Sequence, residues 1–169
     1  MRYGFFACFI FSILFFNACQ PPPERVRIAE ITKAGRSEMI PPSDALAASM
    51  EEVLEGVRIS ACGISFKEGE NGFYFLDMQG DRGGVPVRLG IVLEEAENGL
   101  YLTATTCLHQ CSPEGGPNPC KSDCKQIIRV PCEENLCHCS GSGECYESIF
   151  RDQQYDLRPV QRLVGPAAD

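Results

Sequence analysis

Cys107-Leu108-His109-Gln110-Cys111 opens a stretch, CLHQCSPEGGPNPCKSDCKQIIRVPCEENLCHCSGSGEC, that runs to Cys145 and holds eight cysteines in 39 positions. The spacing is C-x3-C-x8-C-x3-C-x7-C-x4-C-x-C-x5-C, through Cys107, Cys111, Cys120, Cys124, Cys132, Cys137, Cys139 and Cys145. Glycine, proline, serine and asparagine fill the gaps, and only Gln126 to Val130 has the character of a strand. So few large apolar groups cannot offset the entropy lost on ordering the segment. An even set of cysteines in such a segment predicts a disulfide framework, each bridge contributing ~2–3 kcal/mol. Cys137 and Cys139 are too close to pair comfortably with each other, so they are expected to clip two separate segments. Spacing alone does not choose among the remaining pairings.

Metal ligation is the competing use of such a cluster. Zinc sites favour C-x2-C pairs, and this chain contains none. His109 lies inside the first C-x3-C and His138 between Cys137 and Cys139; each is expected to meet water or a carbonyl. The expectation is therefore no metal and no cofactor.

Upstream of the cluster the apolar residues alternate. Cys62, Ile64 and Phe66 share one strand face, and Gly69-Glu70-Asn71-Gly72 supplies a turn. Phe73 to Gln79 forms the next strand. Gly80 to Gly84 turns again, and Val85, Val87, Leu89, Ile91 and Leu93 alternate with polar or small positions. Asn98-Gly99 leads into Leu100, Leu102 and Ala104. The pattern predicts an antiparallel meander of about four strands with one buried face. Cys62 falls in line with Ile64 and is expected to act as a small buried hydrophobe.

Ser43 to Gly56 is the best helix. Ser43 is a competent N-cap, Asp44 suits the positive end, and Gly56 supplies a stop. Leu46, Met50, Val53, Leu54 and Val57 make one apolar stripe, opposite Glu51, Glu52 and Glu55. The fold class expected is α+β: one N-terminal helix packed on a small antiparallel β-meander, followed by a disulfide-rich loop region. The organisation expected is 1–18 leader, 19–42 cysteine plus proline-rich tether, 43–106 helix plus meander, 107–150 stapled region and 151–169 tail. The tether begins Pro21-Pro22-Pro23 and ends Pro41-Pro42, with Val26, Ile28 and Ile31 offering a short edge strand as the alternative. Pro159 interrupts the tail's scattered apolar residues, and Gly165 to Asp169 are expected to fray.

The N-terminus carries an address. Arg2 precedes a twelve-residue apolar run, Phe5 to Phe16, which is the layout of a secretory signal peptide. The run falls short of the ~20 apolar residues that a spanning helix needs. Phe16-Asn17-Ala18-Cys19 resembles the lipobox of bacterial lipoproteins, with Phe16 and Asn17 departing from its usual residues. That resemblance implies a diacylglyceryl thioether and an acylated amine on Cys19, and two or three acyl chains anchor stably where one does not. The chain carries a net charge of −8. Loss of 1–18 removes one base and no acid, leaving 14 − 23 = −9. Attraction to anionic headgroups cannot hold such a chain on a membrane, and a nucleic-acid partner is not expected. Gln20 lacks the aspartate that retains many enteric lipoproteins at the inner membrane, so by resemblance the outer membrane is favoured.

Two further resemblances involve the cysteines. LYLTATTCLHQC and CHCSGS resemble the two boxes of Rieske [2Fe-2S] proteins. By position, Cys107, His109 and Cys137 would be ligands and Cys111–Cys139 the loop-joining disulfide; the fourth ligand falls on Ser140, and the second cluster imidazole is missing. The ending CHCSGSGECYES resembles small cysteine-rich lipoproteins of Gram-negative bacteria, a likeness that brings no activity with it.

No G-x-S-x-G, phosphate loop or C-x-x-C redox motif occurs, and both histidines lie within the cysteine cluster. The chain is accordingly expected to be a lipid-anchored protein of the bacterial cell envelope. Its role would be binding or structural, toward an envelope protein or glycan, and not enzymatic. The alternative is a degenerate Rieske-like redox protein carrying a [2Fe-2S] cluster.

Overall fold

A computed structural model describes residues 24–165, apart from 69–71, 98, 114–117 and 122. The lipobox cysteine, Cys19, lies outside the described residues. Among the described residues, eleven strands and two helices follow one another: β1 (Arg25–Ile31), β2 (Ser37–Met39), α1 (Ser43–Val53), β3 (Arg58–Lys67), β4 (Phe73–Arg82), β5 (Val85–Val92), β6 (Glu94–Ala96), β7 (Gly99–Thr103), β8 (Thr105–Ser112), β9 (Cys124–Val130), β10 (Glu134–Cys139), β11 (Tyr146–Gln154) and α2 (Arg158–Val164).

The meander is present as β3, β4 and β5, with Cys62 opposite Met78 and Met78 opposite Leu89. Gly83 and Gly84, at φ +65° and +89°, make the two-residue turn between β4 and β5 that only such backbone angles allow. Two more strands extend this sheet, giving the antiparallel order β11-β8-β5-β4-β3. Leu76, Met78, Leu89, Ile91 and Leu108 face one side and are buried. The α1 stripe packs there through Leu46, Met50 and Leu54, as the helical spacing requires. A second sheet, β2-β1-β7-β6, closes the core with Val26, Ile28, Leu100 and Leu102. α2 adds Leu157 and Val160 to the same core.

The α+β expectation is overturned: the described residues are mostly β, in three sheets with two helices. Three local causes account for it. The stretch from Arg25 is no spacer but a core strand, because Val26 and Ile28 alternate inward and pair with Leu102 and Leu100's strand. β7 leaves the meander for that partner, and β8 takes the place beside β5. The cysteine-rich stretch is not loop: it supplies β8, β9, β10 and, at its end, β11, with disulfides doing the burial that alternating Leu and Val do elsewhere. A boundary at 106/107 would cut β8 in two. Pro159, read as an interruption, sits in the first turn of α2, where a missing N–H costs nothing.

α1 also begins differently from the expectation. Ser43 is its first helical residue, and its hydroxyl donates to the Cys62 carbonyl of β3 instead of capping the helix. At the far end the Ile59 N–H donates to Glu51 Oε1 over 2.6 Å. Two polar contacts thus fix α1 along β3.

Candidate functional site

β9 and β10 form a two-stranded hairpin on the sheet face opposite α1. Gly90 and His109 are register partners on that face. A Cβ on Gly90 would stand 2.6 Å from Ile128 Cδ1, so the missing side chain is what admits β9 so closely.

Four disulfides clamp the region. Cys107–Cys132 and Cys111–Cys137 tie β8 to the hairpin turn and to β10. Cys120–Cys139 and Cys124–Cys145 tie the hairpin's open end to the segments before β9 and before β11. All eight cysteines of the framework pair with one another, Cys137 and Cys139 clip separate segments, and Cys62 stays unbonded and buried. Burial, and then the charge of Asp77, pushes the Cys62 thiol up to about 12.

His109 is fully buried under the hairpin. Its Nε2 accepts the Cys132 N–H over 3.1 Å and stands 3.8 Å from the Cys107 sulfur. Burial lowers its pKa to about 4, so the ring is neutral near pH 7. Because Nε2 accepts, the ring proton belongs on Nδ1. Asn135, also buried, donates its amide toward the Gln110 carbonyl at 3.5 Å and the Cys111 sulfur at 3.6 Å. Cys132 is held in the left-handed region at φ +61° by three ties: its disulfide, its N–H to His109, and its carbonyl, which accepts from Arg151 Nε at 2.8 Å.

The residues singled out by the Rieske resemblance do not fit a cluster here. Cys107 and Cys137 have their sulfurs in two different disulfides, and Cys111 bonds Cys137 where the resemblance pairs it with Cys139. The imidazole that the resemblance names, His109, already uses Nε2 as an acceptor for a backbone N–H.

A second feature lay beyond sequence reasoning. Between α1, α2 and the β8–β11 edge opens a groove of about 1550 Å³. Phe150 and Tyr155 border it beside Gln153, Gln154 and Arg82. The Arg162–Glu52 pair, 2.9 Å apart, bridges the two helices, and Arg158 pairs with Asp156. Burial holds the Tyr155 phenol up at about 12, offset in part by Arg82. A signal for the α2 wall existed in Leu157, Val160 and Val164, spaced about one helical turn apart around Pro159.

No protein-family model, curated protein or solved structure matches the chain.

Proposed function

We propose that the chain is an exported binding module of a bacterial cell envelope, held on a membrane, the outer one by preference, through lipid on Cys19. The observation that carries this is the set of four disulfides within 39 of the chain's 169 residues. Such bridges persist in oxidising compartments and are rare in the cytosol. A hairpin tied to its sheet by sulfur at the turn and at the open end is a rigid scaffold. No nucleophile–base pair stands beside it among the described residues, since His109 is spent on a backbone N–H.

The groove is the binding face, and an envelope glycan is its occupant. Sugars are held by aromatic faces flanked by amide and charged side chains, which is how Phe150, Tyr155, Gln153 and Gln154 line it. Feeding cells radiolabelled fatty acid tests the anchor: label on the native chain, and its loss with release into the soluble fraction for Cys19→Ala, supports this reading. An unlabelled native chain in the soluble cell interior overturns it. For the groove, co-sedimentation with insoluble peptidoglycan should fall for Phe150→Ala, whose ring is already 36% exposed and contributes little to the core.

A further inference from the structure

We propose that the sulfurs of Cys120, Cys124, Cys139 and Cys145, once reduced, form a tetrathiolate site for one zinc ion. This corner of the protein can thus exchange two disulfides for one metal centre. The inference goes beyond the binding role, and either can fail without the other.

The geometry starts from the backbone. Cys124 and Cys139 are register partners at the open end of the β9–β10 ladder, yet they do not bond to each other. Each reaches instead to a neighbouring segment, Cys139 to Cys120 and Cys124 to Cys145. The two disulfides therefore lie against one another. The sulfurs of Cys120, Cys139 and Cys145 are all within 4.8 Å of each other, and that of Cys124 is bonded to the last of them. Four sulfurs at ~2.3 Å from a zinc ion stand ~3.8 Å apart in a tetrahedron.

The frame that holds these sulfurs does not depend on the disulfides alone. The Cys120 N–H donates to the Glu144 carbonyl at 3.0 Å, and the Glu144 N–H to the Asn118 carbonyl at 2.9 Å. The Ser140 N–H donates to the Asp123 carbonyl at 3.1 Å. Gly143, at φ +108°, passes so close to Pro119 that a Cβ would stand 2.4 Å from its carbonyl oxygen. These bonds place both flanking segments beside the hairpin in addition to the two disulfides. Cys120, Cys124 and Cys139 are buried and Cys145 half-buried, a dry pocket suited to a soft, thiophilic ion. The sequence conceals the site, because its closeness comes from strand register and not from a C-x2-C spacing.

The exchange needs a dithiol reductant. Two equivalents each deliver two electrons and two protons to one S–S bond and leave as disulfides, so the chain gains four S–H groups. Zinc then replaces four protons, which pass to water.

The test uses the full chain, reduced under anaerobic conditions, with and without zinc. Residue-resolved alkylation reads which thiols the metal covers. One zinc per chain, with alkylation of Cys120, Cys124, Cys139 and Cys145 suppressed about tenfold or more relative to Cys107, Cys111, Cys132 and Cys137, is the expected result. Cobalt in place of zinc should give the visible bands of a tetrahedral thiolate, lost in Cys139→Ser and kept in Cys107→Ser. Protection that is absent, spread evenly, or centred on the other four cysteines overturns the proposal, and the map on the unsubstituted chain decides even if a serine variant folds poorly.

Discussion

The backbone N–H of Cys132 donates to Nε2 of His109 over 3.1 Å, so the turn of the β9–β10 hairpin is fastened to β8 by a neutral imidazole as well as by the Cys107–Cys132 disulfide. Protonation of that nitrogen replaces an acceptor with a donor and puts a charge where burial is complete. The ring's pKa falls from 6.5 to about 4 on folding. A base whose folded pKa is depressed gives full stability above its unfolded value, and loses it as pH falls toward the folded one. The loss should run from pH 6.5 down to about 4 and approach ~3 kcal/mol at most. Urea unfolding of the oxidised protein at pH 7 and pH 4.5 measures it. His109→Gln should flatten the difference; equal pH slopes in both proteins exclude the role given to the imidazole.

Cys62 should be inert in the native state. With its thiol pushed up to about 12, only about one molecule in ten thousand is a thiolate at pH 8, and the sulfur is buried as well. Iodoacetamide at pH 8 should leave it untouched until denaturant is added, then modify it fully. Prompt labelling of the folded protein would place Cys62 at the surface.

Gly80 and Gly63 are contrasting glycines on neighbouring strands. A Cβ on Gly80 would lie 2.0 Å from the Arg58 carbonyl oxygen, beside the irregular register at Ile59 and Ala61, whereas one on Gly63 meets nothing within 4 Å. Gly80→Ala should cost ~2–4 kcal/mol or prevent folding, since backbone must move. Gly63→Ala should be neutral or slightly stabilising, because it narrows the unfolded ensemble. Thermal melts of the two variants check the ordering.

Replacing Cys107 and Cys132 together by alanine removes a bridge between residues 25 apart. The unfolded chain regains loop entropy worth ~3 kcal/mol, and the left-handed φ of Cys132 loses one of its three ties. Denaturant midpoints should drop accordingly, with β3, β4 and β5 still protected from hydrogen exchange because their core lies on the other face of the sheet.

The sequence made the apolar elements readable and concealed those whose burial is unusual. Leu46, Met50 and Leu54 gave a helix, and Met78, Leu89 and Ile91 gave strands, because spacing reports a single buried face. β8 was hidden since, apart from Leu108, its buried residues are Cys107, His109 and Cys111, none of which signals a strand by hydrophobicity. β1 was legible only as an edge-strand alternative to a tether, because its partner β7 lies some seventy residues on and pairing at that range leaves no local mark. Disulfide formation was legible from number and context. The pairings were not: Cys124 and Cys139 face each other across a ladder and still bond elsewhere, a choice set by the backbone of segments that spacing does not describe.

The most direct measurement is a disulfide map of the protein taken from its own cells, with free thiols blocked in acid before lysis. Peptides joined as Cys107–Cys132, Cys111–Cys137, Cys120–Cys139 and Cys124–Cys145, with Cys62 alone unbonded among the cysteines beyond Cys19, are the predicted result. Recovery of those eight residues as blocked free thiols would contradict the account, because a chain kept reduced has neither left the cytosol nor been clamped by sulfur.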